Sequence, residues 1–562
     1  MKYTSPTTPM AHQTEALRRR ALRPPGYADA FADLIDMGGG KSKIVLDEWQ
    51  QMLSSGTISD LLVVAPAGSI RNWYEDKSDD QPSELKRHLD SKLLKTLKFA
   101  GWGRGVAARK SCHDLLKIKS KPRALFVNVE AISTSEEATK LCAEFLKSGA
   151  CLFAIDESTV IRAQKSERTK RIVRTLAPFA KARRILTGLV APKNPLDLFW
   201  QFYFLDPKIL GYDSFTVFRS RYAKVKRTCF EPNKVIRGVL RKAMGLKSKN
   251  VSDAFMREKL NLVYEGKRNV SKLSRREILT ELEIAAEGMP REAAVECILR
   301  LGGWIQSTPK IEEFRNLDEL QAKIAPFSYR VLKEDCLDLP PKVYGTRDVE
   351  LTDEQARMYQ EILKHACTEL EGQHVVARNV IAQMLRLHQV ALGHCADDEK
   401  KVFDIPSNRI DALLEVLEDH SGAAIIWSSY RREIDKIVSR LKKEYGSNSV
   451  AAYHGGNQGA RDVEERRFLS GEARFMVSTQ AAGGKGNTWT VADLTVYCSN
   501  SYDLEHRLQS EDRNHRKGQK KSVTYIDLIC RGTVEERIIK ALRQKIDLST
   551  AITGENYREW LI

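Results

Sequence analysis

Short apolar runs alternate with longer helix-favouring segments in two separate stretches of this chain, and this alternation constrains the fold most. Buried parallel strands are nearly continuous apolar runs, and they are joined through helices. Each stretch therefore predicts a parallel sheet with helices on both faces. The runs are residues 31–35, 61–66, 124–129, 151–156 and 183–188 in the first stretch, and 423–428, 450–454, 475–479, 494–499 and 523–528 in the second.

The alternation predicts an α/β chain in which two doubly wound parallel-sheet lobes are separated by helical insertions. Residues 324–342 end in Pro340-Pro341 and predict an extended connector, because consecutive prolines resist helix. The predicted regions are a first lobe at 1–205, a helical protrusion and connector at 206–345 that includes an insertion at 229–310, a helical region at 346–419, a second lobe at 420–550 and a tail at 551–562.

The charge balance favours an anionic partner. The 562 residues include 91 Lys and Arg against 74 Asp and Glu, a net charge of +17, which brings nucleic acid and anionic membranes into consideration. No apolar run approaches the roughly 20 residues of a membrane-spanning helix, and residues 1–13 contain no apolar signal segment. Ten cysteines without a C-x-x-C pair argue against a zinc ribbon. We expect a cytoplasmic protein that does not engage a membrane.

The segment DMGGGKS, residues 36–42, follows the first apolar run and has the composition of a phosphate-binding loop. Gly38 and Gly40 let the backbone approach a phosphate, and a helix that begins here aims its free N–H groups at the anion. Lys41 is expected to reach the β- and γ-phosphates and Ser42 to ligate Mg²⁺. Ile35 occupies the first glycine position of the full pattern, so a glycine-rich turn that caps a helix is the alternative.

The segment CLFAIDEST, residues 151–159, delivers two adjacent carboxylates to the end of a predicted strand, where α/β sheets bind ligands. Asp156 is expected to hold magnesium, and Glu157 to orient and deprotonate the attacking water. Solvated loop acids are the alternative for this pair taken alone. In the second stretch, Arg513 and Arg516 are three residues apart, so on a helical turn they face the same way and suit a transferring phosphate. A basic surface helix is the alternative there.

The order of these motifs, with further segments between them, resembles that of Swi/Snf-type ATPases of helicase superfamily 2. The matching segments are MAHQ at 10–13, LLVVAPAGSIRNWYED at 61–76, Thr187-Gly188 with NPLDLFWQFYFLDP after it, IAPFSYRVLKEDCLDLPPK at 324–342, STQAAGGKG at 478–486 and QSEDRNHRKGQ at 509–519. The resemblance covers most of the chain and leaves residues 229–310 outside it. The compact size is more similar to phage or bacterial members than to eukaryotic remodellers.

The resemblance implies two RecA-like lobes that sandwich ATP and Mg²⁺, with an adenine contact from Gln13. It implies nucleotide-binding residues Gly38, Gly40, Lys41, Ser42 and Gly486, metal-binding residues Ser42 and Asp156, catalytic residues Lys41, Glu157, Arg513 and Arg516, and nucleic-acid contacts from Ser478, Thr479 and Gln480. The family pattern has Thr-Pro where Leu189-Val190 stands, and His where Ser158 stands. These departures spare the groups that suit phosphate chemistry and fall largely in the motif that couples the two lobes.

The function that we expect is ATP-dependent translocation along double-stranded DNA without strand separation, by a monomer in the cytoplasm of a bacterial or phage-infected cell. One alternative is a strand-separating DNA or RNA helicase with the same engine. Another is a nucleic-acid-binding scaffold with a vestigial ATPase. The insertion adds a further candidate contact with DNA, because residues 234–276 hold 13 basic and 3 acidic residues, with Arg241, Lys242, Lys267 and Arg268 among them. A solvated helical protrusion is its alternative.

Overall fold

The computed structural model describes residues 3–76, 82–164, 166–189, 191–192, 194–232, 305–371, 377–396, 402–457, 459–484 and 487–542. The chain divides into two compact units, of which the first comprises Met1–Tyr222, Asn316–Glu350 and Asn408–Ile562, and the second Ala223–Arg315 and Leu351–Ser407. Both predicted lobes lie in the first unit. The predicted domain boundaries stay predictions.

The first 222 residues supply most of lobe 1. Its strands here are β1 (Asp29–Ile35), β2 (Asp60–Ala65), β3 (Lys98–Gly101), β4 (Arg123–Asn128), β5 (Cys151–Asp156) and β6 (Ala182–Leu186). Its helices are α1 (Ala11–Ala21), α2 (Lys41–Ser55), α3 (Glu84–His88), α4 (Ser91–Thr96), α5 (Val106–Lys117), α6 (Val129–Thr134), α7 (Glu136–Lys147), α8 (Glu167–Lys170), α9 (Leu198–Leu205), α10 (Pro207–Leu210) and α11 (Phe215–Tyr222).

The middle of the chain contributes to both units. Its elements are β7 (Ala223–Pro232), β8 (Ile305–Phe314), α12 (Leu317–Ile324), β9 (Ser328–Val331), α13 (Lys333–Cys336), β10 (Lys342–Asp348), α14 (Asp353–Glu371), α15 (Ala377–Ala391), β11 (His394–Ala396) and β12 (Val402–Asp404). In the second unit, β7 pairs with β8 and β11 with β12, both antiparallel. The sequence predicts mainly helix in this region, so these two hairpins are a correction.

Lobe 2 follows with α16 (Arg409–Glu418), β13 (Ala423–Ser428), α17 (Arg431–Tyr445), β14 (Val450–Tyr453), α18 (Arg461–Leu469), β15 (Phe475–Thr479), α19 (Gln480–Gly483), β16 (Ala492–Tyr497), α20 (Leu504–Glu511) and β17 (Val523–Ile529). Residues 534–542 are helical. Among the residues that the structure describes, no helix combines the length and apolarity needed to cross a bilayer.

Each lobe is built on one parallel sheet. The strand order is β3-β4-β2-β5-β6-β1-β9 in lobe 1 and β10-β17-β16-β13-β15-β14 in lobe 2. Within each sheet every paired strand runs parallel to its neighbour. All the apolar runs predicted as strands form strands, so the predicted fold class is confirmed. The carboxyl ends of β1, β5 and β6 meet at one edge of the lobe 1 sheet, which places Asp36, Glu157 and Thr187 on the same side.

Residues 324–342 correct the prediction of one extended connector. The segment Ser328–Val331 is β9, and it pairs with Ala32–Ile35 of β1. The short helix α13 follows, and the chain lacks regular structure only from Leu337 until β10 begins at Lys342. The proline pair explains that last part, since neither proline donates a backbone hydrogen bond. The connector therefore adds one strand to each lobe's sheet.

A buried ion network fixes the two elements that flank the phosphate loop, β1 and α2. The Arg184 guanidinium on β6 donates to Glu48 of α2, at 2.9 Å from Nε to Oε2, and to Asp29 of β1 at 2.8 Å. Arg20 of α1 donates to Glu48 and to Asp33 of β1. Buried charges need such partners because leaving one unpaired is costly. The network therefore holds both ends of the phosphate loop against the sheet.

Candidate active site

A cavity of about 560 Å³ lies where lobe 1 and lobe 2 meet, inside the first unit. The residues predicted to bind or hydrolyse nucleotide line it together, although they come from opposite ends of the chain. They are Gln13, Gly38, Gly40, Lys41, Ser42, Asp156 and Glu157 from lobe 1, and Arg513 and Arg516 from lobe 2. Gly486 lies outside the described residues. The predicted site is thus one place in the structure, with two bodies contributing to it.

The phosphate loop runs from the end of β1 into the first turn of α2. Gly38 and Gly40 have φ angles of 90° and 75°, which L side chains rarely adopt. A Cβ atom on Gly40 would also lie 2.3 Å from the Gln13 amide nitrogen. The Lys41 ammonium donates to the Ile35 carbonyl at 3.0 Å and lies 4.0 Å from a Glu157 carboxylate oxygen. The loop thus presents a helix N-terminus and one lysine to the cavity.

Gln13 braces the phosphate loop from α1. Its side-chain amide donates to the Gly39 carbonyl at 3.2 Å, and its amide oxygen accepts the Met10 N–H at 2.9 Å. His12 bonds the same Gly39 carbonyl at 2.8 Å. A glutamine amide offers two donors and two acceptor lone pairs, so Gln13 keeps one of each for a ligand. Its position therefore suits both a structural and a ligand-binding role.

The acidic pair stands at the end of β5. The Trp73 indole donates to Asp156 at 3.2 Å, and the Glu157 N–H donates to the other Asp156 oxygen at 3.1 Å. Burial raises the pKa of Asp156, and the nearby Lys41 charge opposes that rise. Glu157 has a φ of 52°, a left-handed conformation that is uncommon for a residue other than glycine. This strained backbone turns the Glu157 side chain back toward Lys41.

Glu84, on α3, is a cavity residue that the sequence motifs do not predict. The Ser42 hydroxyl donates to its carboxylate, and Arg87 lies 3.3 Å from the same group. Burial favours the neutral acid, yet hydrogen bonds from His88 and Ser42 hold the pKa of Glu84 below its ordinary value. A carboxylate that fixes the hydroxyl hydrogen of Ser42 leaves the oxygen lone pairs free. No motif marks Glu84, because it lies 42 positions from Ser42 on an unremarkable amphipathic turn.

Arg513 and Arg516 enter the cavity from turns, not from the helix that the sequence predicts, because α20 ends at Glu511. Arg513 is buried and donates to the Asn487 and Gln509 carbonyls at 2.6 and 2.9 Å. Its guanidinium also lies 3.3 Å from the Met37 sulfur of the phosphate loop. Burial, with the neighbouring Arg516, lowers the pKa of Arg513 to about 10, so the group stays charged at neutral pH. Arg516 donates to the Thr488 hydroxyl at 3.1 Å.

The residues predicted to contact nucleic acid lie away from this cavity, at the end of β15. The Ser478 hydroxyl is buried and donates to the Tyr453 carbonyl. Thr479 accepts the Ala482 N–H and so caps α19, and Gln480 is buried. Their contact with nucleic acid stays a prediction. Four further residues predicted for that role lie outside the described residues, namely Arg241, Lys242, Lys267 and Arg268.

The connector lines a second cavity, of about 630 Å³, which shares Met37, Glu157 and Gln509 with the first. Lys333 of α13 is buried at the boundary of the two lobes, and its ammonium donates to the His515 carbonyl at 2.6 Å. The sequence gives this lysine no distinguishing signal beyond its place in the connector. The connector therefore reaches the same turn that carries Arg513 and Arg516.

Comparisons with known proteins agree with this architecture. The helicase conserved C-terminal domain matches residues 408–518, which span most of lobe 2 and include both arginines. An uncharacterized ATP-dependent helicase of Mycoplasma genitalium, MG018, is 25% identical over 261 residues, 44% of this chain and 25% of its own length. The human chromatin-remodeling ATPase INO80 is 32% identical over 157 residues, 26% of this chain and 10% of its own.

Among solved structures, the SWI2/SNF2 ATPase core of Sulfolobus solfataricus in complex with double-stranded DNA aligns with 100% of this chain and 97% of its own, at 18% identity and a TM-score of 0.36. The matches to the two curated relatives span a quarter of their length or less. The paired parallel sheets and the matched domain define a protein of helicase superfamily 2. Within that superfamily, the chain belongs to the Swi/Snf-type family, as its motif order predicts.

Proposed function

We propose that this chain is a DNA-dependent ATPase that moves along double-stranded DNA without separating its strands. The observation that supports the proposal most is the shared cavity, which joins the phosphate loop and the acidic pair of lobe 1 to two arginines of lobe 2. A site divided between two bodies favours their closed arrangement when ligand is bound, and its hydrolysis releases them. The names of the relatives, an ATP-dependent helicase and a chromatin-remodeling ATPase, support the same class of activity.

Lys41 and the N-terminus of α2 bind the nucleotide phosphates. The helix N-terminus supplies backbone N–H donors and a positive dipole end, while Lys41 adds a full charge. The present bond from Lys41 to the Ile35 carbonyl is one that a phosphate oxygen replaces. Gln13 uses its remaining donor and acceptor for adenine, and its bond to Gly39 couples base recognition to the phosphate loop.

Ser42 and Asp156 are the residues that would hold Mg²⁺. Both line the cavity, and both offer the oxygen ligands that this ion prefers. The Ser42 hydroxyl hydrogen already points to Glu84, which leaves its lone pairs for a metal. When bound, Mg²⁺ neutralises charge on the phosphate oxygens.

Glu157 acts as the general base. Its carboxylate accepts a proton from water as the water oxygen attacks the γ-phosphorus, and its left-handed backbone keeps the side chain beside Lys41. Arg513 and Arg516 stabilise the charge that develops on the transferred phosphoryl group. Because both arginines come from lobe 2, hydrolysis requires the lobes to be closed. Conformation and chemistry are thereby linked.

The proposal of duplex DNA as the track depends on the basic composition and on the resemblance. A net charge of +17 favours a polyanion, and contacts with phosphates give little base specificity. We assign backbone contacts to Ser478, Thr479 and Gln480 at the end of β15. A strand-separating helicase is the second candidate, and the name of the Mycoplasma relative favours it.

One set of assays separates these functions. ATP turnover is measured alone and with duplex DNA, single-stranded DNA or RNA, and movement is followed by displacement of a third strand from a triplex. We expect duplex DNA to stimulate turnover most, and the third strand to be displaced with ATP present. A forked duplex should stay paired. ATP-dependent opening of the fork would favour the helicase, and absence of turnover with every nucleic acid would favour a scaffold.

A further inference from the structure

The turn Thr187-Gly188-Leu189 follows β6 and departs from the family pattern at its third residue. Thr187 is buried, and its hydroxyl oxygen accepts the Leu189 N–H at 3.2 Å while its hydroxyl hydrogen donates to the Leu189 carbonyl at 3.1 Å. Two hydrogen bonds within three residues close the turn. The backbone of Leu189 therefore has a fixed position relative to the lobe 1 sheet.

Gly188 packs this turn directly on the phosphate loop. A Cβ atom at Gly188 would lie 3.3 Å from the Asp36 Cα atom and 3.4 Å from the Met37 nitrogen, so the two backbones are in close contact. The Arg330 guanidinium joins them further, since it donates to the Gly188 carbonyl at 2.9 Å and lies 3.0 Å from the Asp36 carboxylate. A movement of the phosphate loop is therefore transmitted to Leu189.

The Leu189 side chain packs against lobe 2. It contacts a cluster of three buried side chains, Leu504, Ile538 and Leu542, and Leu508 lies against the same cluster. All of these side chains are aliphatic, so a threonine at position 189 would set a hydroxyl group against apolar carbon. Burying such a group without a hydrogen bond is unfavourable. The departure from the family pattern thus matches the surface that it faces.

The helix under Leu189 leads to the arginine-bearing turn. Leu504 and Leu508 belong to α20, and the Arg513 guanidinium donates to the Gln509 carbonyl of that helix. The segment after the acidic pair reaches the same helix, because Arg162 and Glu505 form a salt bridge at 2.7 Å. Apolar and polar contacts from two edges of the lobe 1 site therefore meet on α20.

We propose that Leu189 is a positioning residue that couples the phosphate loop of lobe 1 to the arginine turn of lobe 2 through an apolar contact. The inference depends on the proposed function and adds to it the residue that transmits closure. Leu189 acts through α20 and not through the nucleotide. Its contact with α20 forms when the lobes are closed, so it favours the arrangement in which Arg513 and Arg516 face the phosphate loop.

The test compares Leu189→Ala and Leu189→Thr with the wild-type chain in ATP turnover at saturating duplex DNA. We expect kcat to fall about 2- to 30-fold, the range of energetic coupling that residues between two sites carry, with the KM for ATP changed less than about twofold. Leu189→Met, which keeps an apolar side chain of similar volume, should restore most of kcat. A normal kcat in both Leu189→Ala and Leu189→Thr would overturn the proposal.

A double-mutant cycle separates coupling from simple packing. Leu508→Ala removes the partner on α20, and the double variant should be no slower than the slower single variant if the two side chains act through one contact. Independent, multiplied effects on kcat would contradict the proposal. Leu94→Ala is the matched control, since Leu94 is a partly buried leucine on the lobe 1 core cluster, away from lobe 2. It should lower stability without changing DNA-stimulated kcat.

Two outcomes are distinguishable from failure of the proposed function. If the wild-type chain shows no ATP turnover with any nucleic acid, the proposed function is wrong and Leu189 has nothing to couple. If the wild-type chain is active while the Leu189 variants match it, only the coupling inference is wrong. Should Leu189→Thr fail to fold, the cycle with Leu189→Ala and Leu508→Ala still decides between these results.

Discussion

Lys333 and Asp512 form a salt bridge that joins the connector to the turn carrying both cavity arginines. The same ammonium donates to the His515 carbonyl at 2.6 Å. On its other side, the Lys333 backbone N–H donates to the Asp36 carboxylate at 3.1 Å, at the start of the phosphate loop. One residue of α13 therefore holds a group of lobe 1 and a group of lobe 2, and both lie beside the proposed site.

Replacing Lys333 with Met should weaken both stability and turnover. The change keeps the length of the side chain and leaves the largely buried Asp512 without its ammonium partner. Hydrogen bonds to charged groups contribute about 1.5–3 kcal/mol, so we expect unfolding in urea to require less free energy by about that amount. The DNA-stimulated kcat should fall as well, because the arginine turn loses one of its attachments.

The control for this substitution is Lys323→Met, a lysine on α12 whose ammonium donates to the Leu210 carbonyl within lobe 1. It should leave kcat unchanged. Adding Asp512→Asn to Lys333→Met removes the unpaired charge and should recover part of the lost stability. If the double variant regained full turnover as well, the salt bridge would be a stability feature only.

Substitution of Glu157 by Gln should leave nucleotide and magnesium binding intact while turnover stops. The amide keeps the size of the side chain but cannot accept the proton of water at neutral pH. Lys41→Ala should instead abolish nucleotide binding, because its charge is needed at the phosphates. Binding of a fluorescent ATP analogue and phosphate release under single-turnover conditions distinguish the two. Near-normal phosphate release from Glu157→Gln would contradict its assignment as the base.

Arg516→Ala should reduce kcat by about 10³- to 10⁵-fold with little change in nucleotide affinity, as expected of an arginine that stabilises the transition state. Arg513→Ala should lose stability in addition, because its guanidinium also bonds the Asn487 and Gln509 carbonyls. Arg531→Ala, an exposed arginine of lobe 2 paired with Asp348, is the control and should be silent. A normal kcat in the double variant of Arg513 and Arg516 would exclude the two-lobe mechanism.

Sequence predicts the parts of this structure that are local. The strands that precede Asp36 and Asp156 are apolar runs, and their polar ends lie at the sheet edge where parallel strands bind ligands. The contact between Leu189 and α20, the bond from Lys333 to Asp512 and the bond from Ser42 to Glu84 join residues far apart in sequence. No periodicity encodes such pairs. The strand β9 has no local signal for the same reason, because SYRV becomes a strand only through pairing with β1.

Removing the Glu84 carboxylate should weaken magnesium binding at the proposed site. Glu84 accepts the Ser42 hydroxyl hydrogen and so orients the lone pairs that would face the ion. Loss of such a supporting group typically costs about 10- to 100-fold in metal affinity or activity. We expect Glu84→Ala to need that much more Mg²⁺ for half-maximal turnover, whereas the control Glu75→Ala, paired with Arg71 on the same lobe, should not. An unchanged magnesium requirement would remove Glu84 from the site.

The basic insertion, which the family resemblance leaves unexplained, should strengthen the grip on duplex DNA. Residues 234–276 carry 13 basic and 3 acidic residues, so the segment suits the phosphates of a duplex. Binding of phosphates releases counterions, and each phosphate that a variant no longer neutralises should lower the slope of log K against log salt by about 0.9. We expect Arg241→Gln with Lys242→Gln, and Lys267→Gln with Arg268→Gln, to weaken duplex binding and flatten that slope, while turnover at saturating DNA persists.

The matched control for these pairs is Lys442→Gln with Lys443→Gln, two adjacent exposed lysines on α17 that remove the same charge from lobe 2. If the insertion clamps DNA, the slope should change more for the insertion pairs than for this control, because only bound phosphates release counterions to the measurement. Equal, small changes in all three variants would mean that the insertion charge acts only through the overall field of the protein. The solvated-protrusion alternative would then account for it.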